Sequence, residues 1–196
     1  MKIFSSLFVF IVLSFQISAQ NIDINILRHV HSNRNQNLDH TFELFSKSTY
    51  PIGLAVPVAL FSVGLINKDK HLQGQGLAAG ASLVASLGTS YVLKRVINRP
   101  RPYETYLYIL PYVLEDDPSF PSGHTTAAFA TATSLSLVCR KWYVVVPAYA
   151  WAGTVAYSRL HLGVHYPSDI LAGAVIGAGT AWAGYRINRW LQKKRK

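Results

Sequence analysis

The run Phe120-Pro-Ser-Gly-His-Thr-Thr-Ala-Ala-Phe-Ala-Thr-Ala-Thr-Ser-Leu-Ser-Leu-Val-Cys139 carries no charged residue from end to end. A bilayer core is crossed by about 20 apolar residues in a helix, so the run reads as a membrane span, or else as a buried helix of a soluble bundle. Its opening is equally informative. Ser122 is an N-cap residue, which leaves the amides of Gly123 and His124 free at the positive end of a helix dipole. Such a terminus is an anion site. Glycine at 123 lets an anion approach the backbone, and capping explains the serine but not the histidine after it. His124 is therefore a candidate proton donor to a leaving oxygen.

Working outward, charges also vanish from Ser48 to Asn67, Gln73 to Leu93, Trp142 to Ser158 and Ile170 to Tyr185. Each stretch is near the length of a span, several close to the lower limit of about 17 residues. Half of the 196 residues are hydrophobic and 14% are charged. The mean hydropathy of +0.19 is modest because the polar stretch from Gln20 to Lys47 dilutes it. Residues 1–19 combine Lys2, an apolar run from Ile3 to Phe15 and the small residue Ala19, the pattern of a secretory signal cleaved after Ala19. Either way, cleaved or kept as an anchor, residue 20 begins outside the cytoplasm.

Charge placement tests this order of spans, because cytoplasmic loops collect Lys and Arg. With residue 20 outside, five spans put Lys68 and Lys70, Arg140 and Lys141, then Arg189 and Lys193 to Lys196 on the cytoplasmic side. Arg101, His124, Arg159 and His165 then fall at the outer ends of spans two to five. The expected fold is an all-α polytopic helical bundle of five spans after the signal, or six if it is retained. Segment 20–47 is expected to form extracytoplasmic interfacial helices and 48–196 the core with its basic tail. The net charge of +10 is explained by anchoring and by the site, and needs no nucleic acid. Membrane lipids are the expected partners, with the tail Lys193 to Lys196 available to anionic headgroups.

One cysteine, Cys139, excludes an intramolecular disulfide. Gly76 and Gly80, and Gly173 and Gly177, are spaced four apart for close helix packing. His29, His31 and His40 read as solvated side chains rather than a metal site. The loop Tyr103 to Phe120 holds four tyrosines with Glu104, Glu115, Asp116 and Asp117, and is expected either to shape headgroup choice or to serve as a plain connector.

Two further blocks carry chemistry. Lys94, with Arg101 before Pro102, brings two cations to one place, and the Arg99-Pro100-Arg101-Pro102 run ends the helix. By its spacing Arg99 stands outside the set. In the second block Arg159 precedes His165, and Asp169 follows four residues later, one helical turn away. A carboxylate there fixes the tautomer of His165 and frees its other nitrogen to attack phosphorus. Asp169 also suits a helix cap, and His161 competes with His165 on position alone.

Lys94-x6-Arg101-Pro102, Pro121-Ser122-Gly123-His124 and Ser158-Arg159-x5-His165-x3-Asp169 in this order resemble the type 2 phosphatidic acid phosphatase and vanadium haloperoxidase superfamily. The resemblance implies a lipid phosphatase of the cytoplasmic membrane acting on its outer face. His165 would be the nucleophile, His124 the acid and Asp169 the orienting carboxylate. Lys94, Arg101, Arg159 and the Ser122 to His124 amides would hold the phosphate, with no metal and no cofactor. A lipid phosphate such as undecaprenyl diphosphate, phosphatidylglycerophosphate or phosphatidic acid is the implied substrate. A soluble secreted acid phosphatase and a vanadate-dependent haloperoxidase are the alternatives within the superfamily. A non-catalytic lipid-binding or transport protein is the alternative outside it, and its signature would be a missing histidine or aspartate.

Overall fold

A computed structural model describes residues 22–194. The signal read at 1–19 lies outside them. Among the described residues there is no strand. Helix α1 covers 22–32, and a 3-10 turn at Gln36–Leu38 leads into α2 (Asp39–Lys47). Then come α3 (Thr49–Ile66), α4 (Lys70–Ile97), the short α5 (Pro102–Thr105), α6 (Gly123–Val138), α7 (Trp142–His161) and α8 (Pro167–Lys194). Every charge-free run is thus a helix.

Local chemistry sets the boundaries. Asp69 caps α4 by accepting from the amides of His71 at 2.8 Å and Leu72 at 3.1 Å. Asn98 closes the same helix in the left-handed region at φ 47°, a conformation asparagine tolerates better than most residues. Ser122 caps α6 as expected, accepting from the Thr125 amide at 3.4 Å and its hydroxyl at 3.0 Å.

Helix α6 is the centre of the bundle and packs on α3, α4, α7 and α8. Its buried residues are small: Ala127, Ala128, Ala130, Thr131, Ala132, Thr133 and Ser134. Small side chains let backbones come close, and glycines on the partner complete the fit. A Cβ on Gly173 would stand 2.8 Å from the Ser122 carbonyl, and one on Gly177 2.2 Å from that of Thr126. Gly76 plays the same part between α4 and α3, 2.6 Å from the Phe61 amide, whereas Gly80 has ordinary room.

Polarity runs inside out. Ser82, Ser86, Ser90, Thr131 and Thr133 are buried, while Leu54, Val58, Ile66, Leu77, Val84, Leu171 and Val175 face outward. An apolar exterior of this extent requires an apolar surrounding. Two helical stretches, Gln36–Ile66 and Lys70–Thr105, have the length and hydropathy to cross a membrane by composition alone.

The expectation for segment 20–47 needs correction at its first helix. Ile24 and Leu27 of α1 are buried against Ile109 and Tyr166 inside the protein, because the 103–120 loop folds over them. In α2 the outward face carries Leu44 and Phe45, while Phe42 stacks 4.3 Å from the His161 ring. His31 is likewise not solvated: it accepts from the Leu110 amide at 3.1 Å and lies 2.9 Å from Arg34.

Candidate active site

Alternation of helix direction brings the N-termini of α3, α6 and α8 and the C-termini of α4 and α7 to one end of the bundle. The basic loop residues gather at the other, where Arg140 donates to Tyr185 at 2.7 Å and Gln192 to the His71 carbonyl at 3.3 Å. All of the residues singled out at 94, 101, 122–124, 159, 165 and 169 sit at the first end.

Lys94, Arg101 and Arg159 are almost fully buried, and each is paired with a carboxylate of the 103–120 loop. Asp117 lies 3.1 Å from Lys94 Nζ and also receives the Arg101 guanidinium; Glu115 receives Arg159. The Glu115 carboxylate is 3.9 Å from Arg101 as well, so two carboxylates tie three cations into one cluster. Lys94 donates further to the Pro118 carbonyl, and Arg159 Nη1 to Ser46 of α2 at 2.6 Å. Arg159 Nε, although buried, has no partner among the described residues. The loop is therefore not a plain connector. Tyr103 fixes its position, donating to the Glu115 carbonyl at 2.9 Å and accepting from its amide at 3.2 Å. Burial alone would push the Asp117 carboxyl up, but Lys94 and Arg101 outweigh it and hold Asp117 below the usual carboxylate range.

His165 closes the cluster on its inner side. Its Nε2 is 3.4 Å from Arg101 Nη1 and so points toward the cations, while Nδ1 is 3.4 Å from Asp169 Oδ2. Burial, and after it the charges of Arg101, Arg159 and Lys94, push its pKa well below that of an ordinary histidine. The ring is neutral at physiological pH, with a lone pair available.

Asp169 is wholly buried and saturated with donors. Oδ2 accepts from Ser119 at 2.5 Å and from the Tyr166 amide at 2.9 Å, while Oδ1 accepts from Arg99 at 2.7 Å. Arg99, set aside on spacing, thus belongs to the site: it lies behind Asp169 rather than among the phosphate-facing cations. His161, the rival on position, is engaged elsewhere, its Nε2 2.8 Å from Asp39.

His124 stands at the start of α6, its ring 4.9 Å from that of Tyr50. A Cβ on Gly123 would meet only Tyr50 Oη at 3.7 Å and Ser90 Oγ at 3.9 Å, so the backbone is open on that side. The sequence gives no sign of Ser119 or Asp23, and it places Glu115 and Asp117 in the 103–120 loop without pairing them to the cations. One signal was available for Glu115 and Asp117: three cations buried together need counter-ions, and the loop joining the first two motifs holds Glu104, Glu115, Asp116 and Asp117.

The PAP2 superfamily model matches residues 75–193. The chain is 37% identical over 93 residues to the lipid A 4'-phosphatase of Bacteroides thetaiotaomicron, a match spanning 47% of this chain and 41% of that protein. It is 26% identical over 175 residues to the undecaprenyl-diphosphatase BcrC of Bacillus subtilis, covering 87% of this chain and 86% of the relative. Among solved structures, the transmembrane PAP2 type phosphatidylglycerolphosphate phosphatase of Bacillus subtilis superposes with a TM-score of 0.72 at 25% identity, over 97% of this chain and 96% of the other.

Proposed function

This chain belongs to the PAP2 superfamily, and on that footing we propose that it is an integral-membrane lipid phosphatase that hydrolyses phosphomonoester or diphosphate headgroups through a phosphohistidine. The observation that carries the reading is three buried cations, their charges met by loop carboxylates, gathered on the Nε2 side of a buried histidine at one end of an apolar-faced bundle. The relatives' activities on lipid A and undecaprenyl diphosphate support a lipid phosphate as substrate.

Helices α3, α4, α6, α7 and α8 are the five spans, with the site on the extracytoplasmic face of the cytoplasmic membrane and the basic loops inside. An apolar exterior favours this over a soluble secreted phosphatase.

Substrate phosphate replaces Glu115 and Asp117 on Lys94, Arg101 and Arg159, and Arg159 Nε gains a partner. The Gly123 and His124 amides complete the cradle, whereas the Ser122 amide, expected to join them, is donated to the Asp169 carbonyl at 3.1 Å. His165 Nε2 then attacks phosphorus. The N–P bond forms as the bond to the leaving oxygen breaks, and His124 gives that oxygen a proton. Asp169 holds the Nδ1 proton and stabilises the charge on the ring. Water next attacks phosphorus, His124 takes its proton, the N–P bond breaks and inorganic phosphate departs. The protein cations neutralise the charge that develops on the equatorial oxygens, so turnover persists in EDTA.

The test is phosphate release in detergent with EDTA from undecaprenyl diphosphate, phosphatidylglycerophosphate, phosphatidic acid and lipid A, comparing wild type with His165→Ala. Turnover lost in the variant supports the proposal and ranks the substrates. Equal release from both proteins overturns the phosphohistidine route.

A further inference from the structure

Among the described residues Arg99 alone hydrogen-bonds to Oδ1 of Asp169, and it does not act alone. Its Nη1 serves Asp169 Oδ1 and Ser168 Oγ, both at 2.7 Å, while Nη2 donates to Asp23 Oδ2 at 2.9 Å. Asp23, on α1, is itself buried and also accepts from the Ser168 amide at 2.9 Å and from the Ser168 hydroxyl. One carboxylate therefore holds both the guanidinium and the first turn of α8, the helix that presents Asp169. Beneath this lies the Tyr166 ring, 3.8 Å from the Arg99 guanidinium carbon, on which the fork stacks. Flat between an aromatic face and two carboxylates, the guanidinium has little freedom to turn.

We propose that Asp23 and Arg99 are positioning residues for the nucleophile, a relay Asp23–Arg99–Asp169–His165 in which the N-terminal helix fixes the carboxylate that orients the attacking histidine. With Oδ1 taken by Arg99, Asp169 turns Oδ2 to Ser119, the Tyr166 amide and His165 Nδ1. A carboxylate released from Arg99 rotates about its terminal torsion, and the Nδ1 contact, already long at 3.4 Å, is the first to be lost. Support of this kind behind an orienting group is worth roughly 10- to 100-fold in comparable metal sites. The relay also gives α1 a task in the site: cleavage after Ala19 leaves Asp23 in the mature chain. Lysine in place of Arg99 keeps the charge but lacks the fork that reaches two carboxylates together.

The inference rests on the phosphohistidine reading for its catalytic consequence, but one readout does not need turnover. Vanadate accepts the Nε2 lone pair of an oriented histidine and becomes five-coordinate, with no electron transferred. Sulfate engages only the cations. The full-length chain in detergent, as wild type, Asp23→Asn and Arg99→Lys, is assayed for kcat and KM on undecaprenyl diphosphate and short-chain phosphatidic acid, and titrated with vanadate and with sulfate. Both variants are expected to lower kcat about tenfold or more with KM within about twofold, and to weaken vanadate by a similar factor while sulfate is unchanged. Selective loss of vanadate in a chain whose wild type hydrolyses neither these lipids nor phosphatidylglycerophosphate and lipid A upholds the relay and defeats the lipid phosphatase reading. Unaltered kcat in an active chain, parallel loss of vanadate and sulfate, unchanged vanadate binding, or a wild type that binds no vanadate overturns the relay.

Discussion

Two sets of ion pairs meet at His165, and they differ in how firmly the carboxylate is held. On the inner side Asp169 is fully buried and Asp23 nearly so, and both are bound by several donors on separate elements. On the outer side the Asp117 side chain is 54% exposed and that of Glu115 25%, and both belong to a single loop. A cavity of about 420 Å³, bordered by Arg95, Asn98, Glu104, Asp116 and Asp117, opens beside that loop. The inner carboxylates are fixtures that aim a ring. On the proposed mechanism the outer ones are exchangeable counter-ions that offset part of the charge of three buried cations until a phosphate takes their place, since cations buried without partners are costly. The same charge pairing serves orientation in one region and occupancy in the other.

The largest effect that sharpens this contrast comes from the ring between the two sets. His165→Ala is expected to reduce phosphate release on the order of 10⁴-fold while sulfate binding persists, because the cations remain. Arg159→Ala should do the reverse in kind, weakening sulfate and substrate together, and a titration of each variant with sulfate separates them. A smaller effect tests exchange. Replacing the outer carboxylates by Glu115→Gln and Asp117→Asn removes the competitor for the cations, so KM should fall, by about fivefold for each ~1 kcal/mol that a partly exposed pair contributes. A rise in KM would break the comparison, since it would make these carboxylates part of the substrate site rather than its temporary occupants.

Packing offers a third handle. Gly173 lets α8 lie against the Ser122 cap, and a Cβ there would meet the Ser122 carbonyl at 2.8 Å and Thr126 Oγ1 at 3.1 Å. Gly173→Ala should destabilise the chain by about 1 to 3 kcal/mol, read as a lower Tm in detergent. It should also reduce kcat, because the shift separates the α6 cap from the helix that bears Asp169.

How much of this was legible in the sequence follows the same division. Residues with fixed local spacing were readable: Ser122 with Gly123 and His124 at a cap, His165 with Asp169 four residues on, Gly173 with Gly177 along one helix face, although His165 lies in the bend before α8 rather than one helical turn from Asp169. Residues whose role depends on where a distant segment lands were not. Arg99 was set aside because its spacing to Lys94 is wrong for a phosphate ligand, and its partner Asp23 lies 76 residues earlier in the chain. The burial of Ile24 and Leu27 was hidden for the same reason. Their apolar pattern suits a membrane surface as well as a protein one, and only the path of the 103–120 loop decides between them.

The smallest effect concerns acidity, and it weighs the two sets against each other at His165 itself. Burial and the cations Arg101, Arg159 and Lys94 lower its pKa well below 6.5, while Asp117 works in the opposite direction. The unfolded chain therefore binds a proton at this residue at a higher pH than the folded chain does. Stability is complete above about pH 6.5 and falls as the pH drops below it, by up to about 1.4 kcal/mol per pH unit from this group until the folded ring is protonated in turn. His31, lowered by burial and by Arg34, adds a slope of the same sign. Chemical denaturation of the detergent-solubilised protein between about pH 7 and pH 5 should show that slope, and His165→Gln should reduce it. Asp117→Asn should carry the wild-type slope to lower pH, since a charge that favours a protonated ring is gone. An unchanged slope in that variant would mean that the outer carboxylate is too loosely held to be felt by the histidine, and the two sets would then act on separate groups rather than on one.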